Sequence, residues 1–260
     1  MDCKAALRPL GMARILVALL SVVSFACTVN FRGSSTFSVN CPTGSLETIV
    51  TLPIKWVYPF WLTDIRVDAA KCNETVIPTG DALSQIFFVD FGVQAQFFVF
   101  VGVCSFLVSS AWVVVYVCFW RAYALDTLLP TADLVISILA SLFWLCADCA
   151  WASGYGSMKM YLGHEQIQQS VNALTLCHDG RCVFESETTE FGNGGFGLTL
   201  GFVNCIMWIL NAFLAYREQQ KIKFERDRLM YTADAFRAQP TPAETMDASS
   251  INSRSAFRAI

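Results

Sequence analysis

Four apolar stretches, residues 15–29, 97–120, 134–151 and 196–216, are separated by segments rich in polar residues. A helix rises about 1.5 Å per residue and needs roughly 20 apolar residues to cross the bilayer's hydrocarbon core. The second and fourth stretches reach that length, and the first and third lie near its lower limit. The pattern predicts an all-α membrane protein, a four-transmembrane-helix bundle with spans at about residues 12–31, 96–120, 132–152 and 196–216. Two loops, residues 32–95 and 153–195, lie between spans, and residues 217–260 form a tail. The first stretch has a rival reading. Lys4, Arg8 and Arg14 ahead of a short apolar run also describe a secretory signal peptide, whose cleavage would leave three spans.

The loops carry a different pattern. "TFSVNC" and "ETIVTLPIKWVYPFWL" in the first loop are rich in β-branched and aromatic residues, and "DIRVDAAKC" alternates in part. They predict two to four short strands folded over the membrane. After Tyr216, "REQQKIKFERDRLMYTADAF" predicts a charged helix continuing from the fourth span, followed by a disordered end with Pro240 and Pro242.

Composition supports the membrane reading. The chain of 260 residues is 55% hydrophobic and 15% charged, against about 25% charged in soluble domains. A net charge of −3 gives no basic footprint for a nucleic-acid partner. Charge placement gives an orientation. Lys4, Arg8 and Arg14 precede the first span, Arg121 follows the second, and Arg217, Lys221, Lys223, Arg226 and Arg228 follow the fourth. Under the positive-inside rule these segments and both termini are cytosolic, and the two loops are lumenal.

Each loop holds two cysteines, Cys41 and Cys72 in the first, Cys177 and Cys182 in the second. A lumenal compartment favours disulfides; four cysteines allow three pairings, of which the within-loop one is simplest. A Cys41–Cys72 bond would pin the β-rich first loop. Asn73-Glu74-Thr75, beside Cys72, is a glycosylation sequon on the same side.

Candidate chemistry concentrates in "WLCADCAWASGY", residues 144–155. Zinc needs about four ligands, and neither a second CxxC nor paired histidines accompany Cys146 and Cys149. A redox CxxC needs a βαβ setting. The two cysteines read instead as small packing residues on one helix face. Asp148 reads as an interfacial aspartate near Trp151 ahead of a proton or ion relay. Asp133 reads as a cap at the start of the third helix. In the fourth helix, Gly197 and Gly201 permit close backbone approach, while Asn204 and Asn211 share a face and offer hydrogen bonds across helices. These four residues are the candidates for helix packing or for gripping a partner's span. Cys3 and Cys118 lie where palmitoylation is feasible.

Several segments together resemble the synaptophysin/synaptoporin family. They are "RPLGMARILVALLSVVSFA", "YPF" at residues 58–60 followed by Cys72, "FWLCADCAWASGYGSMKM" with Trp151 to Gly154, and "GFVNCIMWILNAFLAYRE" with Asn204, Trp208 and Asn211. The resemblance runs from about Pro9 to Glu218. It implies a MARVEL-type four-helix domain with its first helix retained, and disulfides within each lumenal loop. It implies residence in synaptic or synaptic-like vesicles, with synaptobrevin, the vesicular proton pump and membrane lipids including cholesterol as partners; the glycines and amides of the fourth helix also suit a homo-oligomer. Family members act without catalysis or cofactor, in vesicle trafficking, exocytosis and retrieval. Two departures stand out. The Tyr-Gly-Pro-Gln repeats of the family's best-known tails are missing, and an aspartate, Asp148, stands where the family usually has a small polar residue.

Two other classes compete. An oligomeric channel or transporter would line a path with Asp148, Asn204 and Asn211, although broken helices and inverted repeats are not visible. An adhesion or junction protein fits less well, because connexin loops carry three cysteines each and tetraspanins have the larger loop second. No Ser/His/Asp array, phosphate loop or metal cluster speaks for an enzyme.

Overall fold

The computed structural model describes residues 8–43, 46–64, 89–172, 182–189 and 191–237. Its four long helices are α1 (Pro9–Val29), α2 (Gly92–Cys118), α4 (Leu128–Tyr161) and α6 (Phe191–Arg237), each long and apolar enough to cross a membrane. A short helix α3 (Trp120–Leu125) joins α2 to α4, and α5 (His164–Asn172) follows α4. The helices exceed the apolar stretches that predict them. With 34 residues α4 extends about 50 Å, and with 47 residues α6 extends about 70 Å, well beyond a hydrocarbon core of roughly 30 Å. The end of α6 stands clear of the bundle, with Phe224, Leu229, Met230 and Tyr231 exposed.

α1 opens with Pro9 at a position where the missing N–H costs nothing. It closes at Asn30, whose backbone N–H and side-chain amide both donate to the Ala26 carbonyl at 2.9 Å. α1 packs against α2 and α6, and α4 packs along α6. Contact between α2 and α4 is the sparsest of the four neighbouring pairs. An apolar cleft of about 340 Å³ lies there, lined by residues including Phe100, Cys104, Leu139 and Phe143.

One end of the bundle carries a three-stranded antiparallel sheet in the order β2-β1-β3, from β1 (Arg32–Thr43), β2 (Leu46–Val57) and β3 (Cys182–Thr189). β1 and β2 form the hairpin predicted in the first loop, with Arg32 opposite Val57 and Thr43 opposite Leu46. The third strand comes from the second loop, where the two glutamates of "CVFESETT" weaken the strand signal. Phe37 is opposite Phe184, beside an irregularity between Thr36 and Phe37. The β1–β3 ladder joins the two loops, and a ring contact between Phe91 and Tyr161 links them again.

Phe37, Ile54 and Trp56 fill the sheet's buried face. Below them Phe31, Phe60, Tyr155 and Phe191 form a ring contact network, and Phe60 stacks on Trp151 at 5.7 Å. Phe60 has a φ of 71°, an uncommon backbone state for a bulky residue. Its N–H donates to Val57 and its carbonyl accepts from Phe91. The sheet is thus bonded to the start of α2 and stacked on the end of α4. Cys41 lies in β1 opposite Thr48, and Cys182 starts β3 opposite Val39. Cys72, Cys177 and Asn73 lie outside the described residues, as do Cys3 and the tail after Arg237.

Candidate functional site in the bundle interior

A membrane helix is apolar all round, so hydrophobic periodicity does not reveal which face turns inward. The polar residues do, because hydrocarbon offers an exposed hydroxyl or charge no partner. Among the described residues, the buried polar side chains include three groups at different levels of the bundle.

The first centres on Asp133. It lies in the second turn of α4, fully buried, and so does not cap the helix as expected; Leu128 begins the helix and Thr127 precedes it. Arg14 of α1, also fully buried, donates to Asp133 Oδ1 and, at 2.5 Å, to Ser137 Oγ. Ser137 in turn donates to the Asp133 carbonyl at 2.6 Å. The Tyr116 hydroxyl of α2 donates to Asp133 Oδ2 at 2.5 Å, and that of Tyr123 in α3 at 3.0 Å. Burial, and then the adjacent Asp133 carboxylate, hold the Tyr123 hydroxyl above the usual phenol range and keep it a donor. The Arg14 guanidinium lies 4.5 Å from the centre of the Trp208 ring of α6. One carboxylate and one guanidinium therefore tie five helices together.

This places Arg14 differently from its reading as a flanking charge. It is an interior residue of α1, and only Arg8 among the described N-terminal cations is exposed. It also makes α1 an integral wall of the bundle, since without it Asp133 would lose its counter-charge.

The second group is a hydroxyl–amide relay at mid-bundle. Asn204 of α6 donates to Ser21 of α1 at 2.7 Å, Ser21 and Ser105 of α2 are 2.9 Å apart, and the Trp208 indole donates to Ser105 at 2.8 Å. Nearby, Ser24 donates to the Gly197 carbonyl at 2.9 Å. A Cβ on Gly197 would stand 2.9 Å from the Cys27 Cβ, so glycine there permits the α1–α6 contact. Asn211 is fully buried and donates within its own helix to Met207.

The third group is Asp148, four turns above Asp133 on α4. It is fully buried, because the inner face of α4 extends through Trp144, Ala147, Asp148 and Trp151 up to Gly154 and Met158. Neither carboxyl oxygen has a hydrogen-bond partner among the described residues. Oδ1 lies so close to Gly201 of α6 that a Cβ there would fall within 2.2 Å of it, and within 2.8 Å of the Phe98 ring. Gly201 is the space into which Asp148 fits.

The four helix-packing candidates, Gly197, Gly201, Asn204 and Asn211, thus all face the inside of this chain's own bundle. Cys146 and Cys149 do share a face, as their spacing requires, but it is the exposed one; they do not pack against neighbouring helices as expected. Cys118 is exposed as well. Among the described residues no three His, Cys, Asp or Glu side chains are grouped to hold a metal. Sequence reading missed Arg14, Tyr116, Tyr123 and Ser137 as site residues. Charges and hydroxyls in or beside the apolar stretches were the available signal, since such groups seek partners within the membrane.

Four apolar helices held together through buried polar side chains, with apolar residues such as Leu19, Phe100, Leu142 and Ile206 on the outside, define a multi-pass membrane protein. The family of membrane-associating domains called MARVEL matches residues 5–214, which takes in all of α1 to α5 and the membrane part of α6. The chain belongs to that family.

Proposed function

We propose that this MARVEL-domain protein is a non-enzymatic vesicle membrane protein of the synaptophysin group, with both termini cytosolic and the sheet in the lumen. It would gather vesicle partners, a synaptobrevin-type protein and the vesicular proton pump among them, and so support trafficking, exocytosis and retrieval. Cholesterol and further copies of the chain would be lateral partners in the membrane. On this reading Cys41–Cys72 and Cys177–Cys182 are disulfides and Asn73 carries a glycan. The observation that carries the proposal is the membership of the family, joined to the synaptophysin-like segments that hold Trp151, Asn204, Trp208 and Asn211. Because Gly197, Gly201, Asn204 and Asn211 are occupied inside the chain, a partner's span would meet the apolar outer faces of the helices instead. The same burial weakens the channel alternative: Asp148, Asn204 and Asn211 have no exposed surface with which to line a path between subunits.

The test is proximity labelling in native cells with the tag fused after Ile260, paired with Asn73→Gln. Enrichment of synaptobrevin and proton-pump subunits, together with a mass shift that Asn73→Gln removes, is the expected result. Labelling dominated by plasma-membrane junction proteins would reject the vesicle assignment.

A further inference from the structure

At the end of the bundle away from the sheet, a cleft of about 360 Å³ opens between the residue before α1 and the turn of α6 that follows its apolar stretch. Arg8 lines it from the start of the first helix, Arg217, Glu218 and Lys221 line it from α6, and Trp120 adds its ring. Pro9, Leu10 and Leu214 form an apolar wall. The Arg8 guanidinium lies 3.9 Å from the centre of the Trp120 ring, which orients its planar group. Glu218 faces two cations, Arg8 at 3.9 Å and Lys221 at 3.1 Å, and holds both at the cleft while their side chains stay 48% and 62% exposed. Three cations against one carboxylate leave the lining with a surplus of positive charge.

The position matters as much as the charge. The cleft lies just past Tyr216, where the apolar stretch of α6 gives way to charged residues, beside a tryptophan of the kind found at membrane interfaces. A cationic rim above an apolar wall at that level matches one chemistry, a phosphate attached to a glycerol and acyl chains. We propose that this cleft binds the phosphate of an anionic phospholipid headgroup. Arg8 offers the phosphate a planar pair of N–H donors and Lys221 a point charge, while Pro9, Leu10 and Leu214 take the glycerol and the first acyl carbons.

The full chain, purified in detergent, would be titrated with phosphatidylglycerol, with phosphatidylcholine and with inorganic phosphate, and bound lipid counted by native mass spectrometry. Phosphatidylglycerol should be retained in preference to phosphatidylcholine. Arg8→Gln and Lys221→Gln should each weaken it about five-fold. Both cations are at the rim, so the variants should fold, and Tm without lipid checks that they do. The paired control Arg121→Gln with Arg228→Gln removes two charges outside the cleft, one more than either variant, and should leave retention unchanged. An equal loss in that control would mean general attraction to a basic surface and overturn the proposal. So would equal retention of phosphatidylcholine. Displacement of the lipid by inorganic phosphate at matching concentration would identify a free-ion site and reject the lipid.

Discussion

Asp133 and Asp148 lie fifteen residues apart on the inner face of one helix, both fully buried. Asp133 accepts from Arg14, Tyr116 and Tyr123; Asp148 accepts from nothing among the described residues and rests against Gly201. A carboxylate taken out of water costs several kcal/mol unless a counter-charge and donors compensate it. The same residue type therefore does opposite things at two levels of the bundle. Around Asp133 the cost is offset by contacts that fix the mutual positions of five helices. Around Asp148 no such contact offsets it, and what the residue contributes there is volume, packed where glycine leaves room.

The largest expected effect follows from breaking the paired site. Asp133→Ala should destabilise the bundle by about 3–5 kcal/mol, because it leaves Arg14 buried without its partner. Thermal unfolding in lipid nanodiscs would measure it. The double variant Arg14→Met with Asp133→Leu should be less damaging than either single change, since no uncompensated charge remains. A double variant as unstable as the sum of the singles would contradict the ion-pair account.

Next in size is the glycine that faces the unpaired carboxylate. Gly201→Ala should cost about 1–3 kcal/mol, since its Cβ would collide with Asp148 and Phe98. Adding Asp148→Ala should recover part of that loss, and a double-mutant cycle reads the coupling. Strict additivity would mean that Phe98 alone opposes the new methyl.

At mid-bundle, Ser21→Ala removes the acceptor of Asn204 and a partner of Ser105, and should cost about 1–3 kcal/mol by the same unfolding measurement. The smallest effect should come from Asp148→Asn. It keeps the shape and removes the ionisable group, so Tm should stay level or rise. A loss comparable with that of Asp133→Ala would reveal a partner for Asp148 and remove the contrast between the two sites.

The contrast also marks how far sequence reading reached. The four spans were legible because roughly 20 apolar residues in a row have few alternatives to a bilayer. The β1–β2 hairpin was legible from its β-branched and aromatic run. β3 was not, because its register comes from pairing with β1 and not from its own side chains. Cys146 and Cys149 looked inward from their size, yet the wide inner surface of α4 is taken by Trp144 and Trp151. Arg14 looked like a flanking charge because it lies at the edge of an apolar stretch, and Asp133 like a cap for the same reason. Each is explained only by the other, 119 residues away.

By itself, then, the sequence determined the four apolar stretches, their order and the hairpin, because burial of apolar length and local β-propensity act over neighbouring residues. Tertiary structure decided which face of each helix turns inward and which charges meet. Lipid and protein interior are equally welcoming to an apolar side chain, so only the close approach of distant helices tells a paired carboxylate from a solitary one.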